Sequence, residues 1–159
     1  MRIPLSVRYP AKFPKGKLID KIVLNPDDAP SILDLAGIKS RASSQGKDWV
    51  PLIEDNAKNW RTSFLHEYFY ENGYAVPTIE AVRTETLKLV QYPGEKGWSE
   101  VYDLIKDPNE KINFYNTSDG SKLKAQLGKE LEKQEKSLVI LIRNFLIPNQ
   151  WMKMENTNC

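Results

Sequence analysis

Few side chains in this chain are equipped for chemistry. His66 is the only histidine, and it sits beside Glu67 in TSFLHEYFY (62–70). Strand alternation there would send Phe64, His66, Tyr68 and Tyr70 one way and Leu65, Glu67 and Phe69 the other. An imidazole in that place can donate to a ligand oxygen, although a lone histidine on an aromatic strand is ordinarily a packing residue. Arg83, in AVRTETLKLV (81–90), is a permanent cation with a fork of donors suited to an anionic ligand. Its plainer role is that of a solvated strand arginine. His66 and Arg83 are the substrate-binding candidates, and no residue reads as catalytic or metal-ligating. The single cysteine, Cys159, is the last residue. Zinc-type Cys/His spacing, a glycine-rich phosphate loop and a Gly-x-Ser-x-Gly elbow are all missing from the sequence. A Ser-His-Asp triad built around His66 has no spacing to support it.

Both candidates need strands to position them. Val, Ile, Thr and Tyr dominate 78–83 and 87–92, Pro93-Gly94 forms a turn, and a third run covers 101–104, with a capped exit at Asp107-Pro108. These are the marks of an antiparallel meander. With 62–70 as its first strand, the sheet has about four strands, near the typical number.

Upstream, Met1 to Val7 and Leu18 to Leu24 are apolar runs of strand length, separated by a loop around Pro10, Pro14 and Gly16. Asn25-Pro26-Asp27-Asp28 breaks the second run, and Asp27 or Asp28 is placed to cap a helix with Pro30 in its first turn. Ile32, Leu33, Leu35 and Ala36 make its buried side, and Gly37 ends it in a left-handed conformation. Residues 39–58 form a polar connection pinned by Trp49, Leu52 and Ile53. At the far end, Leu123, Leu127, Leu131, Leu138, Ile142 and Phe145 keep helical spacing behind a cap at Asp119 or Ser121, with Glu132 and Lys136 as an i,i+4 pair. Pro148 is the latest stop for that helix, and the tail beyond it frays.

With 159 residues, 40% hydrophobic and 28% charged, the chain has the length of one domain. Its 23 basic and 21 acidic residues leave a formal charge of +2. The basic residues are scattered, so a nucleic-acid groove is not expected. One cysteine permits no intrachain disulfide. MRIPLSVRYP has no apolar signal-peptide region, and the longest apolar run, 138–147, is interrupted by Arg143 and Asn144 and is too short for a bilayer. No membrane partner is expected.

Several stretches resemble the formylglycine-dependent sulfatases of the alkaline-phosphatase-like superfamily, in their C-terminal portion. AVRTETLKLVQYPG followed by EVYDLIKDPNEKINFYN carries Tyr102, Asp103, Leu104, Asp107, Pro108, Glu110 and Asn113 at the family's offsets. The opening RIPLSVRYP, Asp34-Leu35-Ala36-Gly37, Gln45-Gly46 with Pro51-Leu52, and Trp60-Arg61 extend the resemblance over roughly Met1 to Leu131. It implies an α/β fold: a small antiparallel sheet of about four strands with a packed C-terminal helix, preceded by strands and a helix belonging to a larger alkaline-phosphatase-like sheet. The implied organisation is 1–58 as the end of the main α/β domain, 59–147 as the small subdomain with its helix, and 148–159 as a frayed tail. On that reading the chain begins mid-domain.

The same resemblance implies the C-terminal part of a sulfuric ester hydrolase acting on a sulfated carbohydrate or similar ester. Complete enzymes of this kind use a formylglycine made from a cysteine in a Cys-x-Pro-x-Arg context, and a calcium ion held by Asp with Asn or His side chains. Both motifs lie upstream of the part matched here, so no cofactor is expected within this chain and the piece is expected to be inactive alone. Its implied partners are the missing N-terminal catalytic portion and, in the complete enzyme, a sulfated small molecule or glycan. Such enzymes are usually periplasmic, secreted or lysosomal, while the chain itself carries no address. Two alternatives stand beside this reading: a stand-alone interaction or glycan-binding module using the aromatic strand, and a piece of a related phosphoesterase or phosphonate hydrolase.

Overall fold

The computed structural model describes residues 3–40, 44–71, 75–95 and 97–145, with side chains described through Leu138. The chain divides into two compact units, Met1–Arg61 and Thr62–Cys159.

In the first unit a 3₁₀ turn at Asn25–Asp27 leads into α1, Asp28–Leu35, and a one-turn helix α2 covers Val50–Ile53. The apolar core is small: Trp49, Val50 and Leu52 are buried, with Phe13, Ile19, Val23, Leu35 and Trp60 packed around them. Trp49 and Leu52 thus pin the 39–58 connection as their size and apolarity suggest. Gly37 takes φ of 73°. The Ile38 N–H bonds Leu33 C=O and the Gly37 N–H bonds Asp34 C=O, each at 2.9 Å, closing the end of α1 as anticipated.

Three local expectations change here. Asp27 does not cap α1 with its side chain. Its carboxylate is fully buried and accepts from Leu24 N–H and Lys47 N–H, each at 2.7 Å, and from Arg61. The buried side of α1 is Pro30 and Ser31 rather than Ile32, which is 62% exposed, because Ser31 Oγ donates to Asp27 C=O and accepts from Trp49 N–H. That polar bridge turns the helix. The strands expected over 1–7 and 18–24 are not formed among the described residues, and Ile3, Leu5 and Leu18 are exposed. Alternation marks a segment that suits a sheet, but a strand exists only where a second backbone supplies the matching N–H and C=O groups.

The second unit contains β1 (Ser63–Tyr68), β2 (Ile79–Thr84), β3 (Leu87–Gln91), β4 (Glu100–Asp103) and α3 (Ser118–Phe145). The four strands form one antiparallel meander in the order β1-β2-β3-β4, as the turn pattern foretells. Pro93 and Gly94 occupy the middle of a turn closed by Glu95 N–H to Tyr92 C=O at 2.9 Å, with Gly94 at φ 90°. Leu65, Val82, Leu89 and Val101 lie in register across the sheet and face Leu123, Leu127 and Leu131 of α3. Val82, Val101 and Leu127 are wholly buried. This α/β arrangement of a four-stranded sheet under a C-terminal helix is the one the sequence implies.

The cap of α3 is Thr117, not Asp119 or Ser121: its Oγ1 accepts from Gly120 N–H at 3.0 Å. Glu132 and Lys136 pair at 3.7 Å as their spacing suggests. The side chains of Ile142 and Phe145, Pro148 and the tail lie outside the described residues. No helix among the described residues is long and apolar enough to cross a membrane.

Candidate functional site

Strand alternation divides the sheet into two faces, and the register identifies what shares the face turned away from α3. One row across it reads Phe64, Arg83, Lys88, Tyr102, and the next reads His66, Ala81, Val90, Glu100. His66 and Arg83 are therefore diagonal neighbours on one surface, on adjacent strands, close enough for long side chains to share a ligand. The fold brings together the two residues singled out from the sequence.

Their surroundings differ. His66 is exposed, and its imidazole has no hydrogen bond to a described residue. Arg83 has a side chain only 15% exposed and pairs with Glu110 at 3.4 Å. Lys88 reaches the other oxygen of the same carboxylate and also lies 5.5 Å from the centre of the Tyr102 ring. Burial raises the Glu110 carboxyl, but the two cations outweigh it and hold the group below the usual carboxylate range. Glu110 itself sits at φ 55°, an uncommon conformation for a side chain of that kind. The exit loop holds it there: Asp107 Oδ2 accepts from Ile112 N–H at 2.7 Å, and Glu110 N–H bonds Asp107 C=O.

A second carboxylate, Glu100, organises the far side of this face. Tyr102 donates to one of its oxygens at 3.0 Å and Tyr92 to the other at 3.2 Å. Burial and the adjacent Glu100 push the Tyr102 phenol up to about 12. Asn113 seals the edge of the sheet, its Oδ1 accepting from Val101 N–H and Tyr115 N–H and its Nδ2 donating to Ser99 C=O. Asp103 accepts from Ile105 and Lys106 N–H. Asp103, Asp107 and Asn113 of the YDL-x-x-DP-x-E-x-x-N pattern thus build the turn and edge, while Glu110 pairs with Arg83 and Lys88.

Lys88 is a residue that the sequence reading passed over. The signal was available: Lys88 lies between Leu87 and Leu89, and the Glu85-Thr86 turn sets it opposite Arg83. What the face can do is hold an anionic or hydroxyl-rich ligand between an exposed imidazole and two cations that share one counter-ion. For a metal the fit fails. Among the described residues no group of three or more His, Cys, Asp or Glu side chains converges to hold one.

Comparison with known proteins extends these findings. The family described as N-sulphoglucosamine sulphohydrolase, C-terminal, matches residues 1–137. An N-acetylglucosamine-6-O-sulfatase of Bacteroides thetaiotaomicron is 31% identical over 139 residues, covering 85% of this chain and 25% of that protein. Among solved structures, a protein in complex with its substrate D-glucosamine-2-N,6-O-disulfate superposes with a TM-score of 0.73 at 29% identity, over 81% of this chain and 27% of that one. A phosphonate monoester hydrolase of Agrobacterium radiobacter shares the fold, with a TM-score of 0.56 at 21% identity over 70% of this chain and 24% of its own. The chain spans about a quarter of the length of the relatives it matches.

Proposed function

Because the chain belongs to the N-sulphoglucosamine sulphohydrolase C-terminal family, we propose that it works as the C-terminal part of a sulfatase. The complete enzyme would be a sulfuric ester hydrolase acting on a sulfated carbohydrate or a similar ester. The observation that carries this reading is the family match across residues 1–137, in a chain that covers only about a quarter of its relatives.

In this reading the second unit supplies scaffold and part of the substrate pocket, and the missing N-terminal portion is the partner that brings the reactive centre. Formylglycine and calcium belong to that portion. Among the described residues no group of three or more His, Cys, Asp or Glu side chains is placed to hold that metal. His66, exposed beside the basic row, donates to a substrate hydroxyl or sulfate oxygen, and Arg83 adds positive charge to the same side of the pocket. Alone, the chain hydrolyses nothing.

Two measurements test this. Incubation of the chain with p-nitrocatechol sulfate and calcium should give no turnover, and turnover above blank would refute the inactive-part claim. A chimera in which residues 1–137 replace the matching stretch of the Bacteroides N-acetylglucosamine-6-O-sulfatase should retain desulfation that a truncated enzyme lacks. A folded chimera without activity would sink the assignment.

A further inference from the structure

Basic residues that are scattered along the sequence are gathered by one helix. At about 100° per residue, Lys122, Lys129, Lys133 and Lys136 of α3 fall within an arc of about 60°. That arc lies on the side of the helix away from Leu123, Leu127 and Leu131, which pack on the sheet. All four lysines are exposed. At about 1.5 Å per residue, the row they make is about 21 Å long.

The acidic residues of the same helix do not balance this row. Glu130 is drawn toward the sheet, where Ser63 Oγ donates to it at 2.6 Å and Gln134 Nε2 at 3.0 Å. Glu135 is half-buried, and Asp119 neighbours only the first lysine. Glu130 and Glu132 reach Lys133 and Lys136 at 3.3 and 3.7 Å, but those lysines keep 70% and 77% of their side chains in solvent. Pairs so exposed are weak and yield to a stronger anion. Nor is a row of four lysines a surface that a longer protein buries, since lysine is almost never fully buried without a partner.

We propose that this face of α3 docks a sulfated polysaccharide chain, the lysines taking anionic groups along it. Lysine presents a compact ammonium on a flexible stem, which suits a polymer whose charges are unevenly spaced. A nucleic-acid groove adds aromatic stacking partners, whereas the residues beside the lysines on this face are Ala125, Gln126 and Glu132. Docking there raises the local concentration of a polymeric substrate. The row and the candidate pocket are separate, because His66 and Arg83 occupy the sheet face turned away from α3. The choice of a sulfated glycan among polyanions rests on the sulfatase reading.

Retention of the full chain on immobilised dextran sulfate tests this. The chain should be held by that column and not by unmodified dextran, and should elute as salt screens the lysines. The combined variant Lys122→Gln, Lys129→Gln, Lys133→Gln, Lys136→Gln should lose retention with an unchanged far-ultraviolet spectrum. The variant Lys15→Gln, Lys39→Gln, Lys58→Gln, Lys111→Gln makes the same change in net charge elsewhere and should keep it. Loss in both variants or in neither overturns the proposal, and so does a chain that never binds. Double-stranded DNA that displaces the chain as readily as free dextran sulfate of equal charge overturns it too. The readout is binding rather than turnover: an active chimera beside a chain that does not bind sinks this inference alone, and an inactive chimera beside a chain held by the four lysines sinks the sulfatase reading alone.

Discussion

Arg61 reaches back thirty-four residues to grip both oxygens of Asp27, whose side chain is wholly out of solvent. Leu24 N–H and Lys47 N–H complete the set of donors, so the charge is buried with its hydrogen-bonding capacity filled. Taking away one partner leaves the other as an uncompensated buried charge. Arg61→Ala is expected to cost about 3–5 kcal/mol in urea unfolding of the chain, and a loss under 1 kcal/mol would show that water replaces the guanidinium.

Acid should find the same pair. Burial raises the Asp27 carboxyl, and the bonds from Arg61, Lys47 and Leu24 outweigh it, so its folded value lies below the usual carboxylate range. For a depressed carboxyl, the stabilisation is present above the unfolded value and is lost as pH falls through the folded one. Melting temperature should therefore drop on acidification below about pH 4, and Asp27→Asn should flatten that limb. An equally steep limb in the variant would assign it to other carboxylates.

Two glycines should respond to alanine with opposite signs. A Cβ on Gly46 would fall 1.9 Å from the Pro26 carbonyl oxygen. That approach is what lets Lys47 N–H reach Asp27, so Gly46→Ala should destabilise by about 1–3 kcal/mol or more. Gly128 lies within α3 with nothing within 4 Å of a Cβ. Gly128→Ala should stabilise by about 0.5–1 kcal/mol. Thermal melts of the two variants decide both signs.

The Tyr102 phenol, pushed up to about 12, should titrate late in ultraviolet absorbance. Glu100→Gln removes the carboxylate and should bring that transition toward 10. A raised phenol contributes stability below pH 10 that is lost as pH rises toward 12, so the same variant should also weaken the alkaline limb of a stability profile. An unmoved transition would put its cause in burial alone.

His66 and Arg83 should separate in a paired experiment. His66→Ala removes an exposed side chain and should change stability by less than about 0.5 kcal/mol, while raising KM in the chimeric enzyme. Arg83→Ala deprives Glu110 of one cation and should lower the melting temperature as well. A His66→Ala chimera with unchanged KM would remove the imidazole from the pocket.

Much of the second unit was legible from residue order. The β-prone runs 78–83, 87–92 and 101–104 and the turn at Pro93-Gly94 give strand identity, but not the inward face, because Ala81 beside Val82 and Leu89 beside Val90 are buried on both sides of the sheet. Leu123, Leu127 and Leu131 fall four apart and could only be one stripe of a helix. The likeness of residues 101–113 to the sulfatase pattern rests on the same kind of evidence, because a turn and an edge need particular side chains at short, fixed separations.

Tertiary structure alone decided the rest. Nothing near Asp27 in the chain says that Arg61 and Lys47 will meet it rather than the next helix's N–H groups. Nor does the pattern of α1 reveal that Ser31 is buried and Ile32 is not. Local periods report which side of a segment is apolar, but a polar group's partner is set by which distant donors converge on it once water is excluded. Glu110 between Arg83 and Lys88 and Thr117 as the cap of α3 both belong to that second kind. Each depends on backbone brought together across the fold, where the cost of an unpaired buried group chooses among partners that sequence order leaves equal.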